Sequence, residues 1–154
     1  MSLASLIATG TKVWLDGVEP EHIRTNRARG ITGATSNPAI VSKIIATGHS
    51  DGRINDLIGQ GLDDYQIAWQ LNDELVNSAQ QVFLPVWQET EGNDAYVSFE
   101  LDPLIVDETV EPAHSERVRR YIELGKQWSA PPEGGHGNRM IKVPATAAGL
   151  DALE

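Results

Sequence analysis

The sequence predicts an α/β fold in which short parallel strands alternate with helices. Four apolar segments have strand character, and helical patterns separate them. The segments are residues 12–16 (KVWLD), 31–35 (ITGAT), 96–101 (YVSFEL) and 139–143 (RMIKV). Turn-forming residues follow three of these segments: Gly17, Asp102-Pro103 and Pro144. Because parallel βα units cross over with one hand, we expect all four strands in a single sheet.

Helical patterns fill the intervals between the strands. Short helices are expected over residues 19–29, over 39–45 (AIVSKII) and around Leu57 and Ile58, and a further one is capped by Thr146. The clearest helix spans about residues 63–82. Its apolar stripe consists of Ala68, Leu71, Leu75, Ala79 and Val82, and a second stripe consists of Val118, Tyr121, Gly125 and Trp128. Such spacing is typical of helices that pack on a core. The proline and glycine content of residues 129–138 predicts a loop.

The composition limits the class of protein. A chain of 154 residues predicts one domain over residues 1–154. The net charge of -10 argues against nucleic acid and anionic membrane as partners, because both favour basic surfaces. No apolar run approaches the ~20 residues of a membrane span, and the N-terminus lacks the pattern of a signal peptide. The absence of cysteine excludes disulfides and is compatible with a reducing compartment, so we expect a cytoplasmic protein.

Three ionisable residues occupy matching places near the carboxyl ends of three strands. Asp16, Glu100 and Lys142 each lie on the face opposite to the aliphatic residues of their strand. Ligand sites of parallel α/β folds lie at this end of the strands, so the three residues are candidates for one site. Each has an alternative interpretation: the carboxylates as solvated loop residues or helix caps, and the lysine as an edge residue that reaches water.

The combination of an amine with two acids points to a particular chemistry. Apolar surroundings disfavour a charged amine, and a neutral amine attacks carbonyl groups to form a Schiff base. Nearby carboxylates transfer protons, although their charge also stabilises the ammonium form. The segment GATSNP adds Thr35, Ser36 and Asn37, whose short polar side chains suit a hydroxyl-rich ligand. The four histidines, His22, His49, His114 and His136, lack metal-ligand spacing, so we interpret them as surface or loop residues.

These residues lie in motifs that resemble the transaldolase family. VWLD, GATSNPAI, YVSFELDP and NRMIKVPATAAGLDALE are similar, in order, to the first four strand motifs of that family. The resemblance covers about residues 11–154. It implies a (β/α) barrel, here an N-terminal half-barrel of about four parallel strands with surrounding helices. It also implies transfer of a dihydroxyacetone unit between sugar phosphates in the pentose phosphate pathway.

The resemblance assigns a role to each matching residue. Lys142 matches the lysine that forms the Schiff base with the ketose, and Glu100 matches the carboxylate that holds a catalytic water. Asp16 matches the acid/base that acts on the sugar hydroxyl during carbon–carbon cleavage. Asn37 matches a residue that binds substrate hydroxyls, and Thr35 lines the same pocket. No metal or organic cofactor is implied.

The sequence also departs from the family pattern. A barrel of this type needs roughly 250 residues, and the last four strands have no counterpart here. The resemblance places the phosphate-binding arginines in that second half, together with a Ser or Thr that shares the catalytic water. We therefore expect a chain truncated at its C-terminus. Unpaired strand edges and an uncovered inner face predict a homo-oligomer of half-barrels.

Three functions follow as alternatives. The first is a transaldolase-like transferase, and the second is a related Schiff-base aldolase that cleaves a sugar phosphate without an acceptor. Assays with and without erythrose 4-phosphate distinguish these two. The third is an inert half-barrel that acts as an assembly or binding module. Borohydride trapping with fructose 6-phosphate separates the inert module from both enzymes.

Overall fold

The computed structural model describes residues 2–107, 109, 113–129 and 137–154. Within them, four strands form one parallel sheet in the order β1-β2-β3-β4. The strands are β1 (Trp14–Asp16), β2 (Gly33–Thr35), β3 (Val97–Glu100) and β4 (Arg139–Lys142). All four predicted strands are confirmed, each shorter than its apolar segment. A parallel sheet with helices between successive strands is the arrangement of half a (β/α) barrel, which confirms the predicted fold class.

Seven α-helices and one 3-10 helix accompany the sheet in the described residues. They are α1 (Leu3–Ile7), α2 (Pro20–Arg27), α3 (Pro38–Ile45), α4 (Asp51–Gly59), α5 (Asp64–Glu89), α6 (His114–Ser129), α7 (Ala147–Asp151) and the 3-10 helix Pro103–Val106. The sequence patterns did not predict α1 or the 3-10 helix, both of which are too short for a periodic stripe. None of these helices is long and apolar enough to cross a membrane. Of the predicted loop, residues 130–136 lie outside the described residues.

Helix α5 differs from the prediction in length and in orientation. It continues past Val82 to Glu89 through Pro85. The proline removes a hydrogen bond to the carbonyl of Gln81, but both residues are on the exposed side of the helix, where water can replace it. The predicted stripe is wrong at Ala68, which is exposed. The buried face is rotated from that stripe, because it also includes Ile67, Val76 and Phe83.

The core is centred on β3. The side chains of Val97, Phe99 and Leu101 are fully buried, as the alternation along this strand predicts. Phe99 stacks on Trp128 of α6 with ring centroids 4.9 Å apart, and Trp69 of α5 lies 5.8 Å from Phe99. Apolar burial on this one face of β3 therefore joins α5 and α6 to the sheet.

A buried ion pair lies in the same layer between helices and sheet. Nη2 of Arg139 is 2.7 Å from Oδ1 of Asp73, and the two side chains are only 5% and 12% exposed. The contact is electrostatic, because Asp73 Oδ1 has no well-aligned hydrogen bond in the described residues. The guanidinium donates instead to Asn77 Oδ1, to Gln80 Oε1 and to the carbonyl of Trp128. Arg139 thus fixes the start of β4 against two helices.

Candidate active site

The predicted lysine lies beside the predicted glutamate. Glu100 and Lys142 are the last residues of β3 and β4 and are direct neighbours in the strand register. Nζ of Lys142 is 3.0 Å from Oε2 of Glu100. The lysine side chain is 39% exposed and the glutamate side chain 17%. The amine is therefore in contact with a proton acceptor and still open to a ligand.

The β4–α7 turn holds the end of the lysine strand. The hydroxyl of Thr146 accepts a hydrogen bond from the Gly149 backbone N–H at 3.1 Å, which caps α7 as predicted. A Cβ atom at Gly149 would come within 2.1 Å of the Pro144 carbonyl oxygen. The helix can therefore begin directly beyond the lysine strand only because residue 149 is glycine.

Asp16 is paired with Thr35 on the neighbouring strand. The two residues end β1 and β2 and are opposite each other in the register. The Thr35 hydroxyl donates a hydrogen bond to Asp16 Oδ1 at 3.0 Å. Asp16 is exposed, so its second carboxylate oxygen is accessible. Thr35 therefore orients a carboxylate that can still receive a proton from a ligand.

Asn37 and Ser36 follow β2 but differ in what they offer a ligand. Oδ1 of Asn37 accepts a hydrogen bond from the Ile40 backbone N–H at 2.8 Å and caps α3. This bond fixes the amide group and leaves Nδ2 without a partner among the described residues. Ser36 is fully buried, and its hydroxyl donates to the Ser98 carbonyl at 2.6 Å. The Ser36 hydroxyl is thus used within the protein, where it joins β2 to β3.

The structure brings the candidates together as two pairs. Lys142 with Glu100 forms one pair, and Asp16 with Thr35 forms the other. Neighbouring strands are separated by about 4.8 Å, so β1 and β4 would lie about 14 Å apart in a flat sheet. A curved sheet shortens this distance at its inner face. A ligand that contacts both pairs would have to span this distance at the carboxyl ends of the strands.

Ser98 is the residue at this site that the sequence analysis did not single out. Alternation along β3 places it on the same face as Glu100, which was the available signal. Its Oγ accepts a hydrogen bond from the Ser36 backbone N–H at 2.9 Å. Strand pairing between β2 and β3 is limited to Ala34 and Val97, so these serine bonds extend the contact toward the site.

The histidines play no part in this arrangement. His22, His49 and His114 are exposed, as expected, and His136 lies outside the described residues. Among the residues that the structure describes, no group of three His, Asp or Glu side chains is placed to hold a metal ion. The groups that the described strand ends bring together are one amine, two carboxylates and the neighbouring hydroxyl and amide groups.

Known proteins are similar to this chain over nearly its whole length. Residues 13–154 match the family described as Transaldolase/Fructose-6-phosphate aldolase. Proteins named Transaldolase from Mycobacterium tuberculosis and Mycobacterium bovis are each 35% identical over 160 residues, covering 99% of this chain and 40% of the relative. A Transaldolase from Mycobacterium ulcerans is 33% identical with the same coverage. The chain thus spans about 40% of the length of the curated relatives it matches.

Proposed function

Because the chain belongs to the transaldolase/fructose-6-phosphate aldolase family, we propose that it is a transaldolase-like polypeptide acting on sugar phosphates through a Schiff base at Lys142. The proposed reaction is the transfer of a dihydroxyacetone unit in the pentose phosphate pathway. The observation that carries this proposal is the 3.0 Å contact between the Lys142 amine and the Glu100 carboxylate. The cytoplasmic location expected from the sequence stays a prediction.

Glu100 is the proposed base that makes Lys142 a nucleophile, because an ammonium group has no free electron pair. Its carboxylate can accept a proton from Nζ of Lys142, directly or through one water molecule. The neutral amine then attacks the ketose carbonyl, and loss of water gives the imine. The carbonyl oxygen leaves as water, so a proton has to be delivered to it. Glu100, once protonated, can return this proton to that oxygen, directly or through one water molecule.

Asp16 is the proposed acceptor in the second proton transfer. When the carbon–carbon bond next to the imine breaks, the hydroxyl of the departing aldehyde loses its proton, and the imine accepts the electron pair. The accessible oxygen of Asp16 is the proposed acceptor of that proton, while Thr35 holds the other oxygen. The fixed Asn37 amide donates to a sugar hydroxyl, and Ser36 supports the site through Ser98.

Glu100→Gln is expected to slow imine formation by about 100- to 10,000-fold, the usual contribution of a positioned acid/base. Glutamine keeps the shape of the side chain but cannot accept the proton. The measurement is the rate of borohydride-trapped adduct formation on the purified chain. Glu123→Gln, on the exposed side of α6, is the matched control and should trap at the parent rate. An unchanged rate in Glu100→Gln would remove Glu100 from the mechanism.

Asp16→Asn is expected to separate imine formation from cleavage. The variant should still trap fructose 6-phosphate, but the adduct should retain the mass of the whole sugar phosphate. The parent chain should give the adduct of the three-carbon unit. Intact-mass spectrometry after borohydride treatment distinguishes the two adducts. A three-carbon adduct in Asp16→Asn would show that another group accepts the hydroxyl proton.

We also propose that the chain associates with further copies through its open sheet. β1 and β4 are the edge strands of the described sheet, and Met140 on the inner face is 41% exposed. Sedimentation velocity should therefore show a species larger than a monomer. Met140→Lys should weaken the association, whereas Ile58→Lys, an exposed position on α4, should not. A clean monomer at every concentration would contradict this proposal.

A second candidate is a sugar-phosphate aldolase that needs no acceptor. The family description supports this candidate, because it names fructose-6-phosphate aldolase beside transaldolase. The two activities share the imine and differ in what receives the three-carbon unit. Product formation from fructose 6-phosphate that requires erythrose 4-phosphate identifies the transferase. Equal product formation without that acceptor identifies the aldolase.

A further inference from the structure

The described sheet consists of two well-paired halves that meet at a short contact between β2 and β3. β1 and β2 align along their whole length, and so do β3 and β4. β2 and β3 align only at Ala34 and Val97. The pair that contains Asp16 lies on the first half, and the pair that contains Lys142 lies on the second. The candidate site is therefore divided between two halves of the sheet.

Two serines replace the next step of pairing between β2 and β3. The Ala34 backbone N–H donates to the Tyr96 carbonyl at 3.1 Å. In a regular parallel ladder, the Ser36 N–H would donate in the same way to the Ser98 carbonyl. Instead, the Ser36 N–H donates to Ser98 Oγ at 2.9 Å, and Ser36 Oγ donates to the Ser98 carbonyl at 2.6 Å. We call these two bonds the serine bridge, in which a hydroxyl replaces one backbone group of each bond.

The serine bridge is enclosed by the protein. Ser36 is 1% exposed and Ser98 is 3% exposed. A buried backbone N–H needs a partner, and among the described residues the acceptor for the Ser36 N–H is Ser98 Oγ. Without that oxygen, the N–H either stays unpaired or moves to the Ser98 carbonyl. In both cases the spacing of β2 and β3 that the hydroxyl sets is lost.

The serine bridge adjoins the proposed catalytic and substrate-binding groups. Ser36 lies between Thr35, which orients the first carboxylate, and Asn37, which caps α3. Ser98 lies two residues before Glu100 and on the same face of β3. A change in the bridge would therefore move the groups at the end of β2 relative to those at the ends of β3 and β4.

We propose that Ser98 is a positioning residue that sets the distance between the two halves of the site, and that carbon–carbon cleavage depends on this distance whereas imine formation does not. The inference rests on the proposed function. Imine formation uses Lys142 and Glu100, which share one half of the sheet. Cleavage also uses Asp16, which lies on the other half and has to reach a hydroxyl of the sugar that is bound to Lys142.

Ser98→Ala is expected to leave the rate of borohydride-trapped adduct formation with fructose 6-phosphate unchanged. The ratio of whole-sugar adduct to three-carbon adduct should rise by about tenfold or more, because a misplacement of about 1 Å can slow a step by about 100-fold. Ser42→Ala, which changes an exposed serine of α3, should match the parent chain in both quantities. An unchanged ratio in Ser98→Ala, or an equal fall in the rates of both steps, would overturn the proposal.

Amide hydrogen exchange separates a failure of this inference from a failure of the proposed function. The Ser36 N–H should exchange slowly in the parent chain and about tenfold faster or more in Ser98→Ala, measured by NMR of the ¹⁵N-labelled chain. Equal exchange in the two chains would overturn the serine bridge whatever the activity. A parent chain that forms no adduct would refute the proposed function and the catalytic part of this inference, whereas faster exchange in the variant would still support the bridge.

Ser36→Ala keeps the test informative if Ser98→Ala does not fold. This variant removes only the bond to the Ser98 carbonyl and keeps the N–H bond to Ser98 Oγ. The adduct ratio should rise in the same direction as in Ser98→Ala, and by less. An unchanged ratio in a folded Ser36→Ala chain would overturn the proposal.

Discussion

Lys142→Met is expected to abolish the borohydride-dependent adduct with fructose 6-phosphate while the chain remains folded. The amine is the proposed nucleophile, and methionine has a similar length without a nitrogen. Its loss from a half-exposed ion pair should change the free energy of unfolding by about 0–1 kcal/mol. Intact-mass spectrometry of the trapped sample measures the adduct, and circular dichroism with urea unfolding measures the fold.

Lys43→Met is the matched control for this experiment. Lys43 is an exposed lysine on α3, so its replacement removes one amine without touching the strand ends. The Lys43→Met variant should form as much adduct as the parent chain does. Adduct formation that persists in Lys142→Met would contradict the assignment of the nucleophile. Unfolding of Lys142→Met would mean instead that the lysine has a structural role.

Arg139→Met is expected to destabilise the folded chain by about 3–5 kcal/mol. The substitution leaves the carboxylate of Asp73, whose side chain is 12% exposed, without its counter-charge. It also leaves Asn77 Oδ1 and the Trp128 carbonyl without the donor that the guanidinium supplies. The methionine fills part of the space, but it satisfies none of these acceptors. Equilibrium unfolding in urea measures the difference.

The control for Arg139 is an arginine that is also paired but exposed. Arg24 pairs with Glu21 at 2.6 Å, and the two side chains are 63% and 69% exposed. Arg24→Met should therefore lower the free energy of unfolding by less than about 1 kcal/mol, because exposed ion pairs usually contribute no more than that. If Arg139→Met lowered the free energy of unfolding no more than this control does, the buried contact would not hold β4 against the helices.

The contact at the centre of the site was predictable because it depends on local periodicity. Side chains alternate along a strand, so YVSFEL and RMIKV each put one ionisable residue near the carboxyl end of one face. Parallel neighbours with similar turn positions then bring Glu100 and Lys142 side by side. The grouping into two pairs was not predictable, since it depends on which strands are adjacent and on the curvature of the sheet.

Contacts between distant parts of the chain were beyond the sequence patterns. Arg139 lies on the aliphatic face of β4, and no local feature indicates that its partner is Asp73. Ser36 is a second example. Its place in the segment GATSNP indicated a ligand-binding side chain, but its hydroxyl donates a hydrogen bond to the Ser98 carbonyl. The extension of α5 beyond Val82 was also missed, because a proline usually ends a helix and here lies on the exposed side.

Peptide mapping of the parent chain after reduction with borohydride in the presence of fructose 6-phosphate tests the central claim most directly. The chain has few competing amines, since its lysines number only four: Lys12, Lys43, Lys126 and Lys142. We predict one adduct, on the peptide that contains Lys142, and its loss when borohydride is omitted. No adduct, or an adduct spread over the other lysines, would contradict Schiff-base chemistry at the end of β4.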